Sequence, residues 1–425
     1  MGREYSKKEY LKSESRKAIK KAVGFSAENR RKVFASKNIN EDQYKKEMTA
    51  IRQKPFENFE RNLKLAKQNF EKRGFQVYEV KEAKEARNIL NKIIGKSKKI
   101  ISSKTNTGRE IEIKKVSEKF DWNETDLGDF IVKMFKETGE HFVLPAIHIT
   151  AEMINKKIKQ IYKDEIGTDP EKLTHYLCRK IREKILEAEI GITGANFFTQ
   201  EGQIVLLENE GNISLVSRLP KKHIVICGID KITESVDDAV KLCQTAALFG
   251  TGQDITQYVS VISGPSKTAD IENQLVQGAQ GAHEVHVILV DNGRRKMIKK
   301  GFGDILRCIN CGSCINFCPV YNQKGSRYGN EGYIGSKGIV FSAVQENLKA
   351  AYKNGSHDCT ICDSCYRNCP MKIGLPWMVR EIRMEQGRSG IQSFANKEMM
   401  GKIKKDGNPF GKKNDDKLPD KLYCC

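Results

Sequence analysis

The chain has 425 residues, of which 39% are hydrophobic, and a formal charge of +20. That is material for two or three domains with sizeable cores, while its longest apolar runs, such as Val285 to Val290, are far too short to cross a bilayer as a helix. The lysines are spread through helices and tails without a recognition motif, so nucleic acid is not expected as a partner; a solvated basic surface, an acidic protein or peripheral contact with an anionic membrane accounts for the charge equally.

No charged-then-apolar signal segment opens the chain, and the reading is cytoplasmic. Met1-Gly2-Arg3-Glu4-Tyr5-Ser6 fits the myristoylation pattern, but the match is too short to outweigh an unmodified terminus. Residues 1–55 form a basic helical arm, read as peripheral. Pro55 is expected to open a clearer helix that carries Phe59, Leu63, Ala66 and Phe70 on one face and stops at Gly74. From Phe75 to Arg294 strands alternate with helices. Phe142-Val143-Leu144 reads as a buried strand. Asp169 caps and Pro170 opens a helix with Leu173, Leu177, Ile181 and Ile185 inward. Strand-like runs follow at Ile204 to Leu207, Ile213 to Val216, Ile224 to Cys227, Tyr258 to Ile262 and Val285 to Val290. Short apolar strands bounded by turns and mixed with helices argue an α/β domain over 56–298 with a largely buried sheet.

The C-terminal third carries two matching rows of cysteines. One is Cys308-Ile-Asn-Cys311-Gly-Ser-Cys314-Ile-Asn-Phe-Cys318-Pro319; the other is Cys359-Thr-Ile-Cys362-Asp-Ser-Cys365-Tyr-Arg-Asn-Cys369-Pro370. Each is C-x2-C-x2-C-x3-C-P, the spacing that holds cubane [4Fe-4S] clusters, with three thiolates from one loop and a fourth that reaches the other cube. Cys308, Cys311, Cys314 and Cys369 are therefore assigned to one cluster, and Cys359, Cys362, Cys365 and Cys318 to the second. A tetrahedral zinc site needs four ligands rather than a repeated row ending in proline. Disulfides do not suit C-x2-C rows in a chain without a secretion signal. Two clusters would lower the formal charge by about four, which leaves the chain basic. The insert between Cys318 and Cys359, helical over Ile339 to Tyr352, and a helix after Pro376 through Trp377, Val379 and Ile382 favour an all-helical ferredoxin module over 299–388. A polar tail, 389–425, is expected to be loosely ordered. Cys178, Cys227 and Cys243 read as buried small hydrophobes; no role is assigned to Cys424 and Cys425.

In the α/β segment, Asn196-Phe197-Phe198-Thr199-Gln200-Glu201-Gly202, Glu208-Asn209-Glu210-Gly211-Asn212 and Ala247-Leu248-Phe249-Gly250-Thr251-Gly252-Gln253 carry a resemblance to the lactate-utilisation (LUD) domain. Ser263-Gly264-Pro265-Ser266-Lys267-Thr268-Ala269-Asp270-Ile271-Glu272 and the run from Glu284 to Arg294 continue it into the cysteine rows, with Val320-Tyr321 after the first row. Over about residues 60 to 385 this order is similar to the lactate utilisation protein B family, the iron–sulfur subunit of a three-part complex. The resemblance implies a sheet of the NagB, ribose-5-phosphate isomerase and CoA-transferase type. It also implies oxidation of L-lactate to pyruvate together with two partner proteins. Three segments depart from the family pattern: Lys104-Thr105-Asn106-Thr107 for a Lys-Ser-Lys-Ser-like stretch, Gln200-Glu201-Gly202 for Glu-Thr-Gly, and Ala246-Ala247-Leu248 for an Arg-containing one. They bear on which 2-hydroxy acid is used more than on the fold.

Oxidising a 2-hydroxy acid needs a base, a carboxylate anchor and an acceptor. No Gly-x-Gly-x-x-Gly follows a strand, and Gly191-Ile-Thr-Gly194 is a weak glycine pair, so a flavin, if one is required, is placed on a partner. Candidate pocket residues are Glu201, Glu210, Asn212, Lys267 and Asp270. Lys267 reads as an anion anchor or an exposed turn lysine in equal measure. Glu201 and Glu210 read as bases or, with more weight, as turn or solvated carboxylates. His148 and His286 read first as satisfied core histidines and second as proton shuttles. The expected function is an electron-transfer subunit of an L-lactate dehydrogenase (oxidoreductase) complex that hands electrons to a carrier. The rivals are a redox-sensing scaffold and a relay of the heterodisulfide-reductase kind.

Overall fold

The computed structural model describes residues 10–412 apart from 12, 137–145, 147 and 148. Met1 to Ser6, the Phe142-Val143-Leu144 run, His148, Cys424 and Cys425 lie outside the described residues. The strands are β1 (Gln76–Val80), β2 (Lys99–Ser102), β3 (Asp121–Glu124), β4 (Ile190–Thr193), β5 (Phe197–Thr199), β6 (Ile204–Glu208), β7 (Lys222–Gly228), β8 (Ile232–Thr233), β9 (Tyr258–Ile262), β10 (Lys267–Thr268), β11 (Val276–Gln277) and β12 (Glu284–Val290). Six of them form a sheet in the order β1-β12-β7-β4-β2-β3, parallel throughout. Its central strands are apolar on both faces because helices cover both. Val225, Cys227, Val287 and Leu289 feed one core, and Ile224, Ile226, Ile288 and Val290 the other. A second sheet, β8-β5-β6-β9, abuts the first, and β10 and β11 form a small ribbon. The chain from Gly303 to Arg388 is helical. The architecture is thus α/β with a parallel sheet, followed by a helical region.

Phe59, Leu63, Ala66 and Phe70 are buried along one face of the helix Phe59–Lys72. Full burial of such a Leu or Phe contributes about 1.5–3 kcal/mol. Pro55, however, does not open this helix; it lies in the last turn of Glu41–Glu57. The break comes at Asn58, with φ −127° and ψ 49°, where the chain leaves helical geometry. Ile213 to Val216 is likewise not a strand but part of the helix Asn212–Arg218. Gly211, at φ +75°, turns the chain, and the Glu208 carboxylate accepts from the Ser214 amide at 2.9 and 3.0 Å. A carboxylate on the amides of a helix N-terminus outweighs the β preference of Ile and Val. The Ile339 to Tyr352 segment is two helices, Ser336–Gln345 and Leu348–Lys353. Asn347 restarts the second by accepting from the Ala350 amide at 3.0 Å. Part of the polar tail forms the helix Phe394–Asp406, capped by Ser393 and ended by Gly407 at φ +69°. Cys178 is exposed, whereas Cys227 and Cys243 are buried.

The basic arm is not peripheral. Arg52 is fully buried, and its guanidinium donates to the carbonyls of Ile232 at 2.7 Å and Leu306 at 3.1 Å, and to that of Asp230. Thr49 reaches the Pro370 carbonyl at 3.2 Å, and Leu11 donates its amide to the Gln323 carbonyl at 2.8 Å. The arm therefore clamps the α/β and helical regions together, because lysine-rich helices can turn their few apolar and hydrogen-bonding positions inward.

His223 on β7 is fully buried, with its Nε2 2.8 Å from Thr193 Oγ1. Burial, then Arg218 and His286, pull its pKa from 6.5 down to about 3. The folded chain refuses a proton that the unfolded chain accepts below pH 6.5. Its contribution is whole above that pH and is lost as pH falls toward 3. His223→Gln should therefore lose stability less steeply than the parent below pH 6.5, read as urea midpoints against pH; parallel curves would refute this.

Candidate iron–sulfur centre

The two cysteine rows fold into near-duplicate loops. Asn310 and Ile361, each two residues after the first cysteine, have φ of +58° and +52°; Gly312 and Asp363, each one after the second, have +80° and +58°. A β-branched residue in the left-handed region is costly and persists where the surroundings impose it. In that conformation the Asn310 amide points at Cys308 Sγ (3.4 Å) and the Ile361 amide at Cys359 Sγ (3.5 Å). The rows are also cross-tied. Ser313 Oγ donates to the Asn368 carbonyl, just before Cys369, and Ser364 Oγ to the Phe317 carbonyl, just before Cys318, both at 3.0 Å. Each tie draws the fourth cysteine of one row to the loop of the other.

The outcome is two cavities. Cys308, Cys311, Cys314 and Cys369 line the first, with Ile305, Met371, Ile373 and Leu375 as apolar walls and Lys337 as the one charged residue among the described ones. Cys318, Cys359, Cys362 and Cys365 line the second, with Val320, Ile361, Pro376, Ser336 and Asp363. Among the described residues no group of three or more His, Cys, Asp or Glu converges as a single bound ion needs. Two sets of four thiols around apolar-walled spaces, with amides on their sulfurs, fit [4Fe-4S] clusters. Burial and neighbouring cysteines push the Cys311 and Cys314 thiols up. Metal binding supplies the charge that makes such thiolates stable. Burial also raises Cys308, but Lys337, Lys231 and the Asn310 amide outweigh it and hold the thiol below its ordinary value. Cys362, in contrast, is exposed.

The first cavity rests on the C-terminal edge of the parallel sheet. Asp230 and Lys231 follow β7, Arg294 follows β12, and Glu110 lies beyond β2. Arg294 is completely buried and grips Glu110 with two nitrogens at 2.8 and 2.9 Å, while its Nε bonds Asp230. Tyr333, Gln345 and Asn292 also donate to the Glu110 carboxylate, at 2.7, 2.7 and 2.8 Å. Lys231 pairs with Asp230 at 3.0 Å and donates to the Cys308 carbonyl at 2.9 Å. Burial raises the Asp230 carboxyl, but Lys231 and Arg294 hold it well below the usual range. Burial pulls Lys231 down to about 8, against the support of Asp230. None of these residues was singled out from the sequence, since each draws its importance from partners far along the chain. Asn292 and Arg294 alone fall within a stretch that carries the resemblance, the run from Glu284 to Arg294.

The earlier pocket candidates are dispersed among separate turns. Glu201 is exposed in the β5–β6 turn, and its carbonyl accepts from Arg73 Nε at 2.7 Å. Glu210 lies in the turn after β6, and Asn212 donates to Thr125 Oγ1 at 3.2 Å. Lys267 and Asp270 are exposed in and beside the β10–β11 ribbon, where Asp270 accepts from Thr268 Oγ1 at 2.7 Å. His286 is buried on β12, with Nε2 3.2 Å from Glu284 and its ring stacked on Tyr78.

Comparison with known proteins matches the LUD domain to residues 63–290 and the 4Fe-4S dicluster domain to residues 304–373. The chain is 31% identical over 390 residues to Lactate utilization protein B of Macrococcus caseolyticus, covering 88% of this chain and 79% of that one. It is 34% identical over 351 residues to the protein of that name from Bacillus subtilis, covering 80% and 71%. A solved DUF162 family protein from Deinococcus radiodurans aligns over 54% of this chain and 96% of its own at 13% identity and a TM-score of 0.29. Among the described residues no helix is long and apolar enough to cross a membrane.

Proposed function

The chain belongs to the lactate utilization protein B family, and we propose that it is the iron–sulfur electron-transfer subunit of a complex that oxidises L-lactate to pyruvate. The observation that carries this reading is the pairing of two four-cysteine cavities inside one helical unit. When bound, each [4Fe-4S] cluster takes up and gives off one electron at a time, so two match the two electrons a 2-hydroxy acid releases. Cys308, Cys311, Cys314 and Cys369 would hold one, and Cys318, Cys359, Cys362 and Cys365 the other. The apolar walls keep water from the first, inner set, and the Asn310 amide helps favour the Cys308 sulfur in its charged form.

In this reading the arm (1–55), the LUD domain (56–298), the ferredoxin module (299–388) and the tail (389–425) act as one subunit in the cytoplasm. The base, the carboxylate anchor and any flavin belong to partner subunits, because Glu201, Glu210 and Lys267 sit in separate turns. The exposed face at Cys362 suits a partner that delivers electrons to the second, outer set. The test is to add L-lactate to the complex purified without oxygen and follow the visible absorption of the clusters. Bleaching on L-lactate, reversed by an oxidant, is expected. Clusters that bleach with dithionite and ignore L-lactate would refute the reading and favour a redox-sensing scaffold.

A further inference from the structure

The helix Ser336–Gln345 begins between the two cavities, and its first two residues face different ones: Ser336 lines the second and Lys337 the first. Lys337 is 6% exposed; its ammonium donates to Asn310 Oδ1 at 2.7 Å and lies 4.0 Å from the centre of the Tyr333 ring. Lys231, 3% exposed, donates to the Cys308 carbonyl. With Arg52, which donates to the Leu306 carbonyl, three buried cations stand beside this cavity against one buried carboxylate, Asp230, which Arg294 also grips. Arg307, nearby, is paired with Asp304 at 2.9 Å. The surplus is positive and shielded from water, where charge acts at long range.

Among the described residues the second cavity has no matching surplus. Lys324 is paired with Asp358 at 2.8 Å, and Asp363 adds a negative charge to the lining. Arg383 and Arg367 donate to the Cys359 and Cys362 carbonyls, but Arg383 is only partly buried and Arg367 is exposed. Solvent and salt screen such cations far more than buried ones.

We propose that Lys337 and Lys231 are positioning residues that hold the cluster of the first cavity at a higher reduction potential than that of the second, making the inner site the electron's resting place. Reduction adds one negative charge, and a buried ammonium stabilises the reduced form more than the oxidised one. An electron passing from the outer to the inner set oxidises one cluster and reduces the other, one for one, and needs no further reactant. The inference rests on reading the cysteine sets as [4Fe-4S] ligands but not on lactate as substrate, so the two can fail separately.

The full chain, loaded with iron and sulfide without oxygen, is titrated with dithionite at fixed potentials while the EPR of the reduced clusters is followed. Two one-electron waves are expected, with the lower lost in Cys362→Ala. Lys337→Met should lower the upper wave and leave the other in place, and Lys337→Arg should restore it. If Lys337→Met does not retain iron, Lys231→Met, which meets Cys308 only at its carbonyl, is read the same way. An upper wave indifferent to these changes, both waves moving together, or loss of the upper wave in Cys362→Ala overturns the proposal.

Discussion

Arg294→Met should lower the free energy of unfolding by about 3–5 kcal/mol, the cost of breaking a buried ion pair from one side. Arg294 has no exposed surface, and the side chains of its partners Glu110 and Asp230 are 1% and 2% exposed. Methionine fills much of the same volume but leaves both carboxylates facing each other in a site closed to water. Tyr333, Gln345 and Asn292 would still donate to Glu110, which keeps the loss within that range rather than beyond it. Arg295→Met is the control. Its guanidinium also meets three carboxylates, Glu60, Glu79 and Asp291, but is 29% exposed. Screening limits that change to about 1 kcal/mol. The comparison is read as urea midpoints of the iron-loaded protein, with the first transition compared in each case because the chain has more than one unit. Equal shifts for the two variants would show that the buried network carries no special weight.

Cys311→Ala should cut bound iron from about eight to about four atoms per chain and, on the proposed function, abolish lactate-dependent electron transfer in the complex. The sharper part of the expectation concerns which cysteines act together. Cys311 and Cys318 are seven positions apart in one row, yet they line different cavities. Cys318 and Cys362 come from different rows and line the same one. Cys318→Ala and Cys362→Ala should therefore remove the same EPR signal, and Cys311→Ala the other. Cys243→Ala, at a buried thiol that lines neither cavity, should keep full iron. Assignment of signals by row rather than by cavity would refute the cross-tied arrangement that Ser313 and Ser364 build.

The parts of the molecule legible in the amino-acid order were those whose physics is local. The C-x2-C-x2-C-x3-C-P spacing places three sulfurs on one loop whatever lies around it, and the Asp169-Pro170 start and the Phe59–Phe70 stripe obey helix geometry alone. Errors arose where a distant or tertiary partner outvoted local preference. Ile213 to Val216 has strand-forming residues at both ends, but Glu208 caps it as a helix. The lysine-rich arm reads as a solvated appendage, yet Arg52 is drawn into the core by carbonyls 180 and 254 residues away.

Chain order thus sufficed for the two cysteine rows and their local loops, the alternation that yields a parallel sheet, and the order of the two regions, because spacing and periodicity are properties of neighbouring residues. Folding in three dimensions chose the environment of each cysteine set. It brought Glu110, Asp230, Arg294, Lys231 and Lys337 from four separate stretches to one side of one cavity, and left Cys362 at the surface of the other. Burial strengthens a charge and exposure weakens it, and neither is encoded in any short run of residues.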